Sequence, residues 1–267
     1  MLSGDSSMLL WLMSGVVALM SAYLFIGWVR RAQSSRGWLT LGQTTLAGSA
    51  LGAGIASAVM LGMAAEGLPF PLGWRWVWVP ALYGGPMLAC IPAAWWLSRR
   101  QNWLALGGAG LVIGAIAVGT QTGWLMGAGL RPGLRWNFPL VGAASAIAVV
   151  GFTAALWLAY SDASGDGARK SLWRVGAAVL VTLALVAGQE VMISAVGLLA
   201  QVGSIYQREA STTVLSLVAG ALVPTVMALL ALDLVLRNHG ERRRHRSSDE
   251  LASSGKRRKR RRKYRML

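Results

Sequence analysis

Glu190 is the residue whose type and place point most directly to chemistry. It lies inside a long apolar segment, with Gln189 beside it. An ionisable group in such a segment is costly and marks function by default, as a ligand contact or part of a polar path. A carboxyl kept neutral by burial and hydrogen-bonded inside a bundle is the structural alternative. Both readings stand at this point. Thr120, Gln121 and Thr122 interrupt an earlier apolar segment, and Met60 and Met63 sit in one earlier still. With these segments side by side, Met60, Met63, Thr120, Gln121, Thr122, Gln189 and Glu190 line one polar ligand pocket. Met60, Met63 and Met192 carry soft thioethers of the kind that bind Cu(I), although Met is also an ordinary adaptable packing residue.

Other chemistry is missing from the sequence. Both histidines, His239 and His245, stand near the C-terminus, away from the apolar segments. There is no phosphate-cradling Gly-Lys-Ser/Thr motif and no pair of carboxylates on one helical face. The reading is therefore non-enzymatic. Cys90 is the only cysteine, so a disulfide within the chain and a Cys-based metal site are excluded. Asp233 precedes Arg237 by four residues, the spacing of an ordinary helical ion pair.

The elements that position these residues are long apolar segments. Seven are read, near residues 8–29, 38–64, 76–98, 103–129, 138–160, 173–200 and 210–236. Crossing the hydrocarbon takes about 20 apolar residues in a helix, and backbone polar groups in lipid must be satisfied within the segment. Charged residues are 13% of the chain, against roughly 25% in soluble domains. The fold class expected is all-α: a polytopic bundle of seven transmembrane helices over residues 1–237, followed by a disordered polybasic tail over 238–267.

Charge placement sets the expected orientation. Residues 1–7 hold no Lys or Arg, and the first segment runs too long for a cleaved signal sequence before Arg30 and Arg31. Alternate loops hold Arg30, Arg31, Arg36, Arg99, Arg100, Arg169, Lys170 and Arg174; the other set holds Arg75, Arg131, Arg135 and Arg208. Of the 26 Lys and Arg, fourteen fall in residues 237–267. Positive residues stay inside. The N-terminus is expected outside and the tail in the cytoplasm. Trp28, Trp38, Trp74, Trp76, Trp103, Trp136 and Trp173 fall at segment ends, where amphipathic rings favour the interface.

The interior repeats. Ala93-Ala94-Trp95-Trp96-Leu97 matches Ala154-Ala155-Leu156-Trp157-Leu158 at an offset of 61, which also carries Gly62 onto Gly123. Leu230-Ala231-Leu232-Asp233-Leu234 is a weaker third copy. The repeat unit is a pair of helices, so its copies share one orientation. Gly48, Gly52 and Ala56, then Gly110 and Gly114, follow small-xxx-small spacing, which lets helix backbones approach closely within one bundle.

These landmarks resemble the MHYT family of bacterial integral-membrane sensor domains, over residues 8–236. That family has seven spans built from a two-helix unit, with a Met-His-Tyr-Thr-Gly-Met motif near the outer ends of spans 2, 4 and 6. The matching stretches are Ala58-Val59-Met60-Leu61-Gly62-Met63, Gly119-Thr120-Gln121-Thr122-Gly123-Trp124 and Gln189-Glu190-Val191-Met192. Leu68-Pro69 and Leu130-Arg131-Pro132 resemble the segment after the motif. The resemblance implies a sensor or signalling input in a bacterial inner membrane, and in the family a copper ion as candidate cofactor. The departures are specific. The motif's histidine reads Val59, Thr120 and Glu190, and its first Met reads Ala58, Gly119 and Gln189. The expectation is therefore a sensor-like protein with its metal motif largely lost and no cofactor.

The tail carries Arg242, Arg243 and Arg244, then Lys256, Arg257, Arg258, Lys259, Arg260, Arg261, Arg262 and Lys263. Such blocks do not fold alone. On a cytoplasmic face each basic residue adds about 1 kcal/mol of attraction to anionic headgroups. Membrane lipid and a cytoplasmic signalling partner are the expected partners, ahead of nucleic acid. The function of a different class that the sequence also allows is a small transporter or channel component, with a polar path through Glu190 and Gln121.

Overall fold

The computed structural model describes residues 3–66, 72–131, 134–161, 167–198, 203–206 and 209–236. Tail positions 237–267, with both histidines and Arg237, lie outside the described residues. Helices dominate: α1 (Ser3–Ser34), α2 (Trp38–Ala65), α3 (Val79–Arg99), α4 (Trp103–Gly127), α5 (Phe138–Ser161), α6 (Gly167–Ser194) and α7 (Thr212–Leu217). After α7 the helix continues through a π-helical turn, Val218–Leu222, so that one helical run covers Thr212–Leu236. Two compact units are distinguished, Met1–Met227 and Ala228–Leu267.

Six helices are long and apolar enough to cross a membrane: Met8–Ser34, Trp38–Ala65, Trp103–Gly127, Phe138–Tyr160, Leu172–Ser194 and Thr212–Leu236. The sequence reading expects seven. The difference is α3, a helix of 21 residues whose interior holds Pro86 and Pro92 and whose last turns hold Trp95, Trp96 and Arg99. These residues lower its hydropathy without ending the helix.

Helix α2 is the hub of the first unit. Its membrane-length window is 83% buried, and α1, α3, α4, α6 and α7 all pack on it. Its composition explains the position, because Gly and Ala let neighbours approach where lipid gives no hydrophobic drive. A methyl group at Gly48 would lie 2.6 Å from the Ile91 backbone, and one at Gly52 would overlap the Pro86 carbonyl. Between α4 and α5 the same arrangement recurs. Gly110 abuts Thr153, and a methyl at Gly114 would lie 2.9 Å from Val149 Cα. Three of these positions follow their counterparts by 62 residues, 48 and 110, 52 and 114, 91 and 153, while Pro86 and Val149 are 63 apart. Burial follows the same offset. Ala93, Ala94 and Leu97 are buried with Trp95 exposed, as Ala155, Leu156 and Ala159 are buried with Trp157 exposed. The packing offset is 62, where short sequence matches suggest 61; one residue on a helix is about 100° of rotation.

Three short antiparallel ribbons cap the end of the bundle where α2, α4 and α6 finish. Strand β1 (Gly73–Trp74) pairs with β6 (Ala210–Ser211), β2 (Leu130–Arg131) with β5 (Gly203–Ser204), and β3 (Leu134–Trp136) with β4 (Val196–Leu198). The loop after α6 thus supplies one strand to every ribbon. The expected all-α fold gains this layer. The tryptophans also divide. Trp38, Trp76 and Trp103 are exposed near helix ends, as the interface expectation has it, but Trp28 and Trp74 are buried. Trp74 is held edge-on to Trp124, ring centroids 5.4 Å apart, and its Nε1 donates to the Trp124 carbonyl at 2.9 Å.

Candidate functional site

The C-terminal ends of α2, α4 and α6 converge on a cavity of about 60 Å³ beneath the ribbons, lined by Met63, Glu66, Leu72, Leu125, Leu130, Ile193 and Val196. Three helices and the loops after them contribute to its wall. Met63, Leu125 and Ile193 come from α2, α4 and α6. Leu72, Leu130 and Val196 come from the loops that follow those helices. The wall is apolar apart from Glu66, which caps α2. Partial burial, and after it the nearby charge of Glu190, pushes the Glu66 carboxyl above its usual range.

Above the cavity Ser204 ties the three loops together. Its buried hydroxyl lies 2.7 Å from the Ala128 carbonyl and 3.1 Å from the Gly73 carbonyl, and it accepts from the Gly73 N–H at 3.3 Å. A hydroxyl has one proton to donate, so the two carbonyls share it. Gly129, at φ 58, makes the turn that brings β2 alongside β5. Thr212 Oγ1 donates to the Leu72 carbonyl at 3.0 Å, holding the start of α7 to the first loop.

The residues singled out in sequence are distributed rather than gathered. Gln189 is buried and its Nε2 donates to the Val59 carbonyl of α2 at 3.2 Å. Gly62 makes this contact possible, because a Cβ there would overlap the Gln189 amide. Glu190, one residue on, is exposed, and its Oε1 accepts from Trp11 Nε1 of α1 at 3.1 Å. Neighbours on a helix are about 100° apart, so the two side chains serve different faces. Thr120 and Thr122 return their hydroxyls to the Ile116 and Val118 carbonyls of their own helix, at 2.7 and 2.9 Å. Gln121 is buried with its Oε1 unpartnered among the described residues. Met60 is fully buried, and of the seven pocket candidates Met63 lines the cavity.

Copper fits this donor set poorly. Met60 and Met192 are packing residues at 0% and 1% exposure. The cavity offers one thioether and one carboxylate, and no imidazole. Among the described residues no group of three or more His, Cys, Asp or Glu is placed to hold a metal ion. The sequence marks none of Leu72, Leu125, Ile193, Val196 or Ser204, and Leu130 enters only within the stretch that resembles the segment after the family motif. Leu125 was within reach, since it follows Met63 by the packing offset of 62. No protein-family model matches this chain, and neither a curated protein nor a solved structure matches it.

Proposed function

We propose that this chain is a non-enzymatic seven-span membrane protein that serves as a signalling input, resembling MHYT sensor domains whose metal motif has been lost. The observation that carries the reading is the cavity under the ribbons, built from the ends of three helices and the loops that follow them. At about 60 Å³ it suits a very small, largely apolar ligand, since a water occupies roughly 30 Å³ of liquid. A ligand there touches all three loops at once, and its binding energy biases how the helices that follow them are held. The recurrence of packing at 62 residues supports a repeated two-helix unit. The seventh span is α3, whose 21 residues reach about 31 Å at 1.5 Å each, enough for the hydrocarbon. The N-terminus is outside and the basic tail cytoplasmic, in a bacterial plasma membrane, where the tail meets anionic lipid or a signalling partner.

Xenon binding tests the cavity. In wild type, xenon under pressure slows hydrogen exchange in the three ribbons, and Met63→Phe, which fills the space, abolishes that response. Equal responses in both proteins, or none in either, defeat the reading. Copper bound stoichiometrically and lost on changing Met63 contradicts the claim that the metal site has decayed.

One observation favours transport instead: the buried Gln121 amide oxygen, unpartnered among the described residues. Under that reading a polar path runs through Gln121 and Glu190. Proteoliposome flux that depends on pH and disappears in Glu190→Gln decides for it.

A further inference from the structure

At the end of the bundle opposite the ribbons, two arginines lie within electrostatic range of each other. Arg30, near the end of α1, stacks over the Tyr160 ring with its Cζ 5.6 Å from the centroid. Its Nη2 donates to the Ala159 carbonyl, one of the last carbonyls of α5, which have no partner within the helix. Arg174, in the second turn of α6, lies within electrostatic range of both Arg30 and Tyr160. All three side chains are half-buried. Arg174 Nε and the Tyr160 hydroxyl are sealed from solvent and have no hydrogen-bond partner among the described residues. Among the described residues no carboxylate is paired with either guanidinium; Asp162 and Asp166, between α5 and α6, lie outside them.

Each shortfall has the same remedy. Two like charges brought together call for an anion. Two buried donors, Nε–H and O–H, call for acceptors. A guanidinium presents five N–H donors in a fork suited to phosphate oxygens, and the Ala159 contact engages one of Arg30's. Because Arg174 is half-exposed at the start of its membrane segment, a modest swing of its side chain turns Nε and the fork onto an incoming oxyanion. The helices ending here are of membrane length, so this is the depth of phospholipid headgroups.

We propose that Arg30, Arg174 and Tyr160 form a site for a phosphate oxyanion, presented by the headgroup of an anionic phospholipid. The proposal rests on the helices being membrane spans and is independent of the sensor reading. It is also distinct from adhesion through the tail, which is spread over many exposed charges.

The test uses the full chain in neutral detergent at about 1 M salt, where the Debye length of about 3 Å silences exposed charges. Phosphatidylglycerol, phosphatidylcholine and inorganic phosphate are added separately, and retained lipid is counted by native mass spectrometry beside melting temperature. The expected result is one retained phosphatidylglycerol with a raised melting temperature. Its affinity falls roughly tenfold in Arg174→Gln, the loss of a charge-assisted hydrogen bond. Tyr160→Phe keeps the ring under Arg30, folds normally and weakens the lipid by a smaller factor. Stabilisation by inorganic phosphate, lost in the same two variants, supports the oxyanion site and moves its source to a soluble phosphate. Phosphatidylglycerol bound as well by both variants as by wild type, or no better than phosphatidylcholine, overturns the proposal.

Discussion

Gln189 and Glu190 show why side-chain roles inside a membrane are hard to read one residue at a time. In a soluble helix the polar face declares itself by contrast with the apolar one. In a membrane span the lipid-facing side is apolar as well, so the pattern does not say which neighbour points inward. The structure gives Gln189 to the core and Glu190 to the surface beside Trp11. Gly62→Ala tests the first contact. The added methyl collides with the Gln189 amide, and overpacking of this kind costs about 1–3 kcal/mol, read as a lower melting temperature. Glu66 carries a pH prediction. Its carboxyl is raised by partial burial and by Glu190, so the folded state holds its proton more tightly than the unfolded chain does. Stability from this group is gained as pH falls from neutral through the raised value to the ordinary carboxyl range, and lost as pH rises. Glu66→Gln is therefore expected to stabilise at neutral pH. The advantage should vanish in acid; an advantage that persists there contradicts the assignment.

At the scale of elements, helices were legible and ribbons were not. Runs of apolar residues longer than a bilayer needs have few alternatives. Strands of two or three residues, such as Gly73–Trp74 or Leu134–Trp136, are too short to display alternation, and their partners lie 60 residues or more away. The π-helical turn at Val218–Leu222 did leave a trace: Pro224 follows it within two residues. A proline there cannot donate to Gly220 and would crowd its carbonyl, and a π turn is one way a helix absorbs such a residue. The candidate site was half legible. Met63 stood out because its stretch resembles a family motif, whereas the loop residues that close the cavity look like any apolar loop. Ser204→Ala probes the cap directly. It removes a buried hydroxyl shared by three loops, and leaving those partners unsatisfied costs about 1–3 kcal/mol. The expected signature is faster hydrogen exchange in all three ribbons, with the opposite ends of the helices unchanged. Exchange altered in one ribbon alone contradicts the shared role.

For the whole molecule the firmest expectation concerns orientation. Reporter fusions should find residue 3 outside and residue 250 inside, in keeping with the excess of basic residues in one set of loops and in the tail. Removing residues 238–267 should leave the bundle inserted, because eight basic residues of the inner loops remain, and should weaken salt-sensitive association with anionic vesicles. A tail found outside breaks the orientation and the outward placement of the ribbon end together.

The three ribbons also impose an order of assembly. Strands β1, β2 and β3 are made early, and among the described residues each pairs with a strand from residues 196–211. A growing chain that has produced five helices therefore carries three strand edges with nothing to pair against. The cap closes in one late event, when the loop after α6 arrives and zips into all three. Translation intermediates arrested before Val196 should be open to protease at residues 72–74, 130–131 and 134–136, and protection should appear at all of them together once Ser211 has been added.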